Sequence, residues 1–257
     1  MEALHRVVEG RGPRLVLVHG FTQTLASMEP LATRLRGRFE LVRVDLPGHG
    51  GSGAVRARMG RAAALLGACG GPAAYLGYSL GGRVCLRLAV DQPNLVRALV
   101  LLGASPGLAE GRQRAERRAA DERLAGRLER DGVAAFLDHW LAGPLFSTLP
   151  AERAGRAERL ANRADGLAAA LRLLGTGAQA PLWHRLGELR MPVLLLAGAL
   201  DHRFAATAAE MAAAIGDPGR VRVELIPGAG HAAHLERPAE VAALAAAFLQ
   251  EHLRPRA

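Results

Sequence analysis

Short apolar runs that alternate with helix-like segments are the feature of this sequence that most restricts its fold. Strands that alternate with helices predict a parallel sheet with helices packed on both faces. We therefore predict an α/β fold with a mostly parallel, doubly wound sheet, whose functional residues gather where the strands end. The predicted strands are 15–18, 41–44, 73–77, 96–102, 192–197 and 221–226, and the predicted helices are 28–35, 62–69, 80–90, 205–215 and 239–253.

One long segment interrupts the alternation. Residues 107–189 show no clear strand pattern and are rich in arginine and in helix-forming residues. A helical insertion after a core strand would lie over the edge of the sheet that carries the functional residues. We predict a core formed by residues 1–106 and 190–257, with a helical cap, or lid, formed by residues 107–189.

The charge of the chain indicates an anionic small-molecule substrate rather than a nucleic acid. The 257 residues carry a formal net charge of +9, and the 33 basic residues are all arginine. They are spread along the sequence and do not form the aromatic-studded basic stripe of a nucleic-acid-binding surface. The absence of lysine indicates a compositional bias of the coding sequence.

The cysteines and the apolar content argue against several other classes of protein. Cys69 and Cys85 are the only cysteines, and their spacing matches neither a disulfide framework nor a zinc site. No run reaches the ~18 apolar residues of a membrane span, and residues 1–10 lack the apolar region of a secretory signal. We expect a cytoplasmic protein that uses no metal and no cofactor. Its oligomeric state stays open.

A serine flanked by glycines lies between a predicted strand and a predicted helix. The segment GYSLG, residues 77–81, follows strand 73–77 and leads into helix 80–90. Glycine on both sides of Ser79 permits a strained turn that lifts the hydroxyl above the sheet at the helix N-terminus. This context is that of a nucleophile elbow, so we predict that Ser79 is a catalytic residue.

A catalytic serine needs a base, and the base needs an acid that orients it. His231 follows the last predicted strand, and Asp201 follows the predicted strand before it. Both would lie at the same sheet edge as Ser79, and the chain order serine, acid, histidine is that of the α/β-hydrolase triad. We predict a triad of Ser79, Asp201 and His231. We expect His234 to pack beside His231 or to face solvent.

Two backbone N–H groups are candidates for an oxyanion hole. In this fold one donor comes from the turn after the first clear core strand, and the second comes from the residue after the nucleophile. Those donors would be the N–H groups of Phe21 and Leu80. They would stabilise a tetrahedral intermediate or an enolate equally well, so they do not distinguish hydrolysis from proton abstraction.

Several segments together resemble one family of α/β-hydrolase-fold enzymes, the 2-succinyl-6-hydroxy-2,4-cyclohexadiene-1-carboxylate synthases (MenH) of menaquinone biosynthesis. The resemblance extends over nearly the whole chain. HGF is general to the fold, whereas DLPGHGGS, YSLGGR and the tryptophan-containing cap segment are more particular to the family. The similar segments are LVHGFTQT, VDLPGHGGSG, GYSLGGR, SPGL followed by RAER, FLDHWLAGPLF, GLAAALRLLGTGAQAPLW and IPGAGHAAHLERP.

The resemblance implies a lyase that removes pyruvate from 2-succinyl-5-enolpyruvyl-6-hydroxy-3-cyclohexene-1-carboxylate. A proton is taken alpha to the succinyl ketone, the ring double bond carries the elimination, and the oxyanion hole holds the enolate. Ser79, polarised by His231 and Asp201, would act as the base without an acyl-enzyme. The three carboxylates of such a substrate would require arginine partners.

The resemblance also implies which residues bind the substrate. Carried over position by position, they are Tyr78, Arg83, Arg117, Trp140 and Arg163. Arg159 competes with Arg163 for the match to an arginine near the third cap helix. Without the resemblance, Arg117 would be an ordinary solvated helix residue and Trp140 a part of the cap core.

Two other functions are open on the sequence alone. A serine hydrolase of esters or of carbon–carbon bonds would use the same triad and oxyanion hole. A binding protein of this fold would not need a complete triad. The chain also departs from the family at Arg203, where lysine is expected two residues after the acid, and the general absence of lysine accounts for this change.

Overall fold

A seven-stranded sheet forms the centre of the structure, a computed structural model that describes residues 3–253. The strands are β1 (Arg6–Gly10), β2 (Arg14–Val18), β3 (Glu40–Val44), β4 (Ala73–Tyr78), β5 (Val96–Leu102), β6 (Val193–Gly198) and β7 (Val221–Ile226). Their order in the sheet is β1-β3-β2-β4-β5-β6-β7. Only β1 runs antiparallel to its neighbour, β3. The predicted α/β class with a mostly parallel sheet is confirmed.

Helices cover both faces of the sheet. The helices are α1 (Glu29–Leu35), α2 (Met59–Gly70), α3 (Leu80–Asp91), α4 (Gly111–Leu141), α5 (Arg156–Arg159), α6 (Ala164–Leu174), α7 (His202–Ile215), α8 (Ala233–Glu236) and α9 (Pro238–His252). α2, α3 and α7 share one hydrophobic core, and α1, α8 and α9 share the other. Successive strand residues point to opposite faces, so Val16 and Val18 pack in the first core and Leu15 and Leu17 in the second.

The edge strand β1 is absent from the strands predicted from the sequence. Its five residues alternate between exposed and half-buried, and it pairs with β3 in the register Arg6 to Val44. An edge strand with a solvated face does not need an apolar run. The apolar run that identified the buried strands in the sequence is therefore missing from β1.

The segment between β5 and β6 is helical, as the sequence predicts. The described residues 103–192 form helices and turns but no strand. α4 extends to Leu141, and its backbone leaves helical geometry at Gly132, whose φ of 77° favours glycine. Residues of α4 and α6 form a third core cluster, which Trp140 joins from its edge. The boundary of the cap at 107 and 189 stays a prediction.

Truncation of a central-strand residue should cost much of the stability. Leu17 in β2 is fully buried, so Leu17→Ala should lower the free energy of unfolding by about 3 kcal/mol through lost burial and a residual cavity. Val8→Ala in β1 is the control, because Val8 is 49% exposed. Urea denaturation measures both, and equal losses for the two variants would contradict this description of the core.

Candidate active site

The backbone makes a sharp turn between β4 and α3, and Ser79 is the single residue in that turn. Its φ of 50° and ψ of −108° lie outside the regions that non-glycine residues normally adopt. A Cβ on Gly77 would lie 2.6 Å from the backbone of Gly81, and a Cβ on Gly81 would lie 2.4 Å from the Val18 carbonyl oxygen. Both flanking glycines are therefore required by close backbone approach, as the elbow motif predicts.

Hydrogen bonds connect Ser79, His231 and Asp201. Ser79 Oγ lies 3.1 Å from His231 Nε2, and His231 Nδ1 lies 2.7 Å from Asp201 Oδ2. Asp201 also caps α7, since its Oδ1 accepts the Phe204 N–H at 3.3 Å. A carboxylate that accepts Nδ1–H leaves the lone pair of Nε2 facing the serine hydroxyl. The structure brings these three predicted residues together in the geometry of a serine activated by histidine.

Phe21 and Leu80 line the same cavity as Ser79. Leu80 is the first residue of α3, so its N–H has no acceptor within the helix. Phe21 lies in the turn after β2, where the Gly20 N–H donates to Gln23 Oε1 at 2.9 Å. Within residues 3–253 the Phe21 N–H has no acceptor. Two such N–H groups, on residues that line one cavity with Ser79, fit the expected oxyanion hole.

A cavity of about 120 Å³ lies between the carboxyl edge of the sheet and the cap. Apolar side chains from both parts enclose it, and Trp140 packs edge-to-face against Phe21 with ring centroids 5.4 Å apart. Its lining includes Phe21, Ser79, Leu80, Arg83, Ser105, Arg117, Trp140, Leu145, Thr176, Arg203, Phe204 and His231. The predicted Arg83, Arg117 and Trp140 therefore share one cavity with the serine and the histidine.

Arg83 is a buried cation beside the elbow. Its Nη1 donates to the Leu174 carbonyl oxygen and to Gln179 Oε1, both at 2.8 Å. Burial, and to a smaller extent the positive charge of Arg117, lowers the pKa of Arg83 to about 10, although Asp121 partly opposes the shift. The guanidinium nevertheless keeps its proton at neutral pH, so the cavity contains a permanent positive charge.

Arg117 supplies a second positive charge from the cap. Its Nε donates to Asp121 Oδ1 at 2.8 Å, one turn further along α4. The Arg117 side chain is 38% exposed, whereas that of Asp121 is 3% exposed. Burial raises the pKa of the Asp121 carboxyl, and the neighbouring Arg117 partly opposes this rise. The ion pair fixes the side chain of Arg117, which lines the cavity. It also requires the carboxylate of Asp121 to be buried, which is unfavourable.

Tyr78 does not line the cavity. Its side chain is buried, and its ring lies 4.0 Å from that of His234 and 5.3 Å from that of His231. Burial raises the pKa of its phenol well above the usual range. The geometry places Tyr78 beneath the histidine loop, where it supports the site, and it gives no support for direct substrate contact. His234 is buried and packs against the Tyr78 ring, so of the two expected alternatives the solvent-facing one is wrong.

Arg163 also lies away from the cavity. Its side chain is 71% exposed and pairs with Asp165 at 3.0 Å. The competing Arg159 is 1% exposed, donates to the Ala154 carbonyl oxygen, and lies 5.9 Å from the Phe146 ring centroid. The preference for Arg163 over Arg159 therefore finds no support in the structure. The sequence did not separate the two positions, because they lie only four residues apart and the resemblance fits either one.

Some cavity residues were not predicted from the sequence. Arg203 and Phe204 enter the cavity from the start of α7, directly after Asp201. The sequence did indicate Arg203, because the family resemblance predicts a basic residue two positions after the acid, Asp201. Leu145 lies in a short 3-10 helix and Ser105 in the loop after β5, and neither segment has a distinctive sequence pattern. Only the folded arrangement of residues 107–189 on the core brings both to the cavity.

The order of the strands, the strained serine turn and the acid and histidine at neighbouring strand ends define an α/β-hydrolase. In agreement, residues 15–244 match the model of the alpha/beta hydrolase family. The 2-succinyl-6-hydroxy-2,4-cyclohexadiene-1-carboxylate synthase of Salmonella paratyphi C (strain RKS4594) is 34% identical over 251 residues, which cover 94% of this chain and 95% of that protein.

Solved structures give the same result. MenH from S. aureus superposes with a TM-score of 0.89 at 31% identity, covering 99% of this chain and 100% of that chain. A thermophilic esterase from Thermogutta terrifontis superposes with a TM-score of 0.82 at 24% identity, covering 97% and 94%, and shows the fold alone. The chain belongs to the alpha/beta hydrolase family and, within it, to the MenH synthases.

Neutralising Asp121 should raise stability at neutral pH. The folded-state pKa of Asp121 lies above the ordinary value of 3.8, so the ionised carboxylate opposes folding at neutral pH. Asp121→Asn should therefore melt at a higher temperature than the wild type at neutral pH. The partner Arg117 is partly solvated, so its unpaired charge costs little.

The stability advantage of Asp121→Asn should shrink as the pH falls through the raised pKa and vanish below 3.8, where the carboxyl is protonated in both states. Melting curves recorded across this range test the sign. Asp131→Asn is the matched control on the same helix, because Asp131 is 44% exposed. A variant that melts below the wild type at neutral pH would show that the ion pair outweighs the burial cost.

Proposed function

We propose that this enzyme eliminates pyruvate from 2-succinyl-5-enolpyruvyl-6-hydroxy-3-cyclohexene-1-carboxylate and releases 2-succinyl-6-hydroxy-2,4-cyclohexadiene-1-carboxylate. The observation that carries the proposal is the meeting, in one cavity, of a histidine-bonded serine with two arginines from core and cap. Its membership of the MenH synthases supports the same reaction.

Ser79 acts as the base in this proposal. His231 accepts the hydroxyl proton through Nε2 while Ser79 Oγ removes the proton alpha to the succinyl ketone, and Asp201 stabilises the imidazolium. The electrons of the broken C–H bond form the enolate. They then shift through the ring double bond and expel the enolpyruvyl oxygen, so that the leaving group becomes pyruvate after protonation. No bond forms between Ser79 and the substrate.

The N–H groups of Phe21 and Leu80 are suited to hold the enolate oxygen. Preorganised donors of this kind lower a barrier by about 3 kcal/mol each. The same donors would also serve an ester hydrolase, which is why the arginines decide between the two reactions.

Arg83 and Arg117 give the cavity a charge that a neutral ester does not need. A substrate with three carboxylates would offset the burial of Arg83 and compete with Asp121 for Arg117. For the third carboxylate we favour Arg159 over Arg163, because the Nη2 group of Arg159 is buried without a partner. Trp140 would form an apolar wall for the ring.

We further propose a cytoplasmic location for the enzyme, since its substrate is a small polyanion that does not cross membranes unaided. Among the helices within residues 3–253, none combines the length and apolar character that a membrane crossing requires.

Direct assay separates the lyase from a serine hydrolase. With the enolpyruvyl cyclohexene as substrate, the enzyme should release pyruvate and generate the ultraviolet band of the cyclohexadiene. Ser79→Ala should reduce this rate by about 10³-fold or more, because the base is lost. Turnover no faster than spontaneous elimination, together with rapid cleavage of p-nitrophenyl esters, would overturn the lyase assignment.

Removal of the cap arginine should affect the polyanion selectively. Arg117→Ala should lower kcat/KM for the enolpyruvyl cyclohexene by about 10- to 100-fold, the value of one charge-assisted hydrogen bond. Arg112→Ala is the matched control, since Arg112 lies on the same helix with its side chain 88% exposed. Steady-state kinetics give the comparison. Equal rates for both variants would remove Arg117 from the binding site.

A further inference from the structure

The loop that carries His231 is held by a buried carboxylate further along the same chain. Glu236 Oε2 accepts the Gly230 N–H at 2.8 Å, and Glu236 Oε1 accepts the Ala232 N–H at 3.1 Å. The residue is 5% exposed. One side chain therefore binds the two backbone amides that flank the histidine.

The backbone of Glu236 is itself fixed at both of its polar groups. Its N–H donates to the Ala232 carbonyl oxygen at 3.0 Å, and its carbonyl oxygen accepts Nη1 of Arg153 at 2.8 Å. The carboxylate is thus a short, rigid bridge from α8 back to the histidine loop. Hydrogen bonds to an ionised acceptor are about twice as strong as those between neutral groups.

The contacts of His231 show what this bridge adds. Asp201 binds Nδ1 and sets the rotation of the imidazole ring, but it does not fix the backbone from which the ring projects. Glu236 binds that backbone on both sides of His231 and does not border the cavity. Its effect on the reaction must therefore pass through the position of His231.

We propose that Glu236 is a positioning residue that keeps His231 Nε2 within hydrogen-bond distance of Ser79 Oγ. The inference rests on the proposed role of His231 as the base for Ser79. A displacement of about 1 Å between such partners costs about 10²-fold in rate. Apart from His231, residues 228–233 are all glycine or alanine, so side chains other than that of the histidine contribute little to holding this loop in place.

Replacement by glutamine tests the bridge with little change in volume. Glutamine keeps one acceptor oxygen and presents an NH₂ group where the second acceptor is needed, so one flanking amide loses its partner. Glu236→Gln should lower kcat by at least tenfold and leave KM within twofold, because the cavity lining is unchanged. Glu240→Gln, at an exposed position of α9, is the matched control.

An uncharged reagent that modifies serine tests the role of Glu236 independently of which substrate the enzyme uses. Phenylmethylsulfonyl fluoride forms a bond from Ser79 Oγ to sulfur with loss of fluoride, and His231 takes the hydroxyl proton. Mass spectrometry should show at least tenfold slower labelling of Glu236→Gln than of the wild type and of Glu240→Gln. Equal labelling of the folded variant overturns the positioning role, whereas failure to label the wild type overturns the proposed role of the serine.

Hydrogen exchange on the wild type covers the case in which the variant does not fold. The Gly230 and Ala232 amides should exchange at least 10²-fold more slowly than those of an exposed turn. Fast exchange at both positions would show that the carboxylate does not hold the loop. This result from the wild-type protein alone would overturn the proposal.

Discussion

The close approach of the turn at Ser79 to the end of β2 is the constraint on which the rest of the site depends. A positive φ at a serine costs about 1–3 kcal/mol, so the surrounding structure must enforce it. Hydrogen bonds do so on both sides: the Ser79 N–H donates to the Leu102 carbonyl oxygen at 2.9 Å, and the Arg83 N–H donates to that of Ser79 at 3.0 Å. The same turn sets the hydroxyl, the Leu80 donor and the direction of Arg83.

Arg83 links the packing of the core to the binding of an anion proposed above. Its burial is unfavourable, and the acceptors on Leu174 and Gln179 offset part of that cost. A guanidinium has five N–H donors, so two contacts from one nitrogen leave others free to bind an anion. Because Gln179 in turn donates to the Pro106 carbonyl oxygen at 3.0 Å, the loop after β5, the helix that follows Ser79 and the Arg83 guanidinium form one hydrogen-bond network.

The sequence predicts a feature well where the physical requirements of the fold restrict which residues can stand at its positions. Buried strands require unbroken apolar runs, and the serine turn requires glycine at two fixed positions, so both left patterns that the structure bears out. β1 required neither, since its side chains face solvent or lie half-buried. Tyr78 and Arg163 were placed by likeness alone, and the orientation of a side chain depends on packing that no local pattern records. Glu236 lay within a recognised motif, but its two acceptors become apparent only when the loop is folded.

Residues 107–189 form hydrogen bonds to the core close to Ser79, His231 and Phe21. Arg83, beside the serine, bonds to the end of α6, and the Arg153 side chain bonds to the backbone of Glu236. Asn162 donates to the Thr22 carbonyl oxygen at 2.7 Å, next to the Phe21 donor. Each such bond contributes only about 1 kcal/mol net, so their loss is a small fraction of the total stability. Displacement of residues 107–189 from the core would nevertheless break all three bonds together. In the reaction proposed above, residues 107–189 would therefore help to hold Ser79, His231 and Phe21 in their relative positions while they rest on the core.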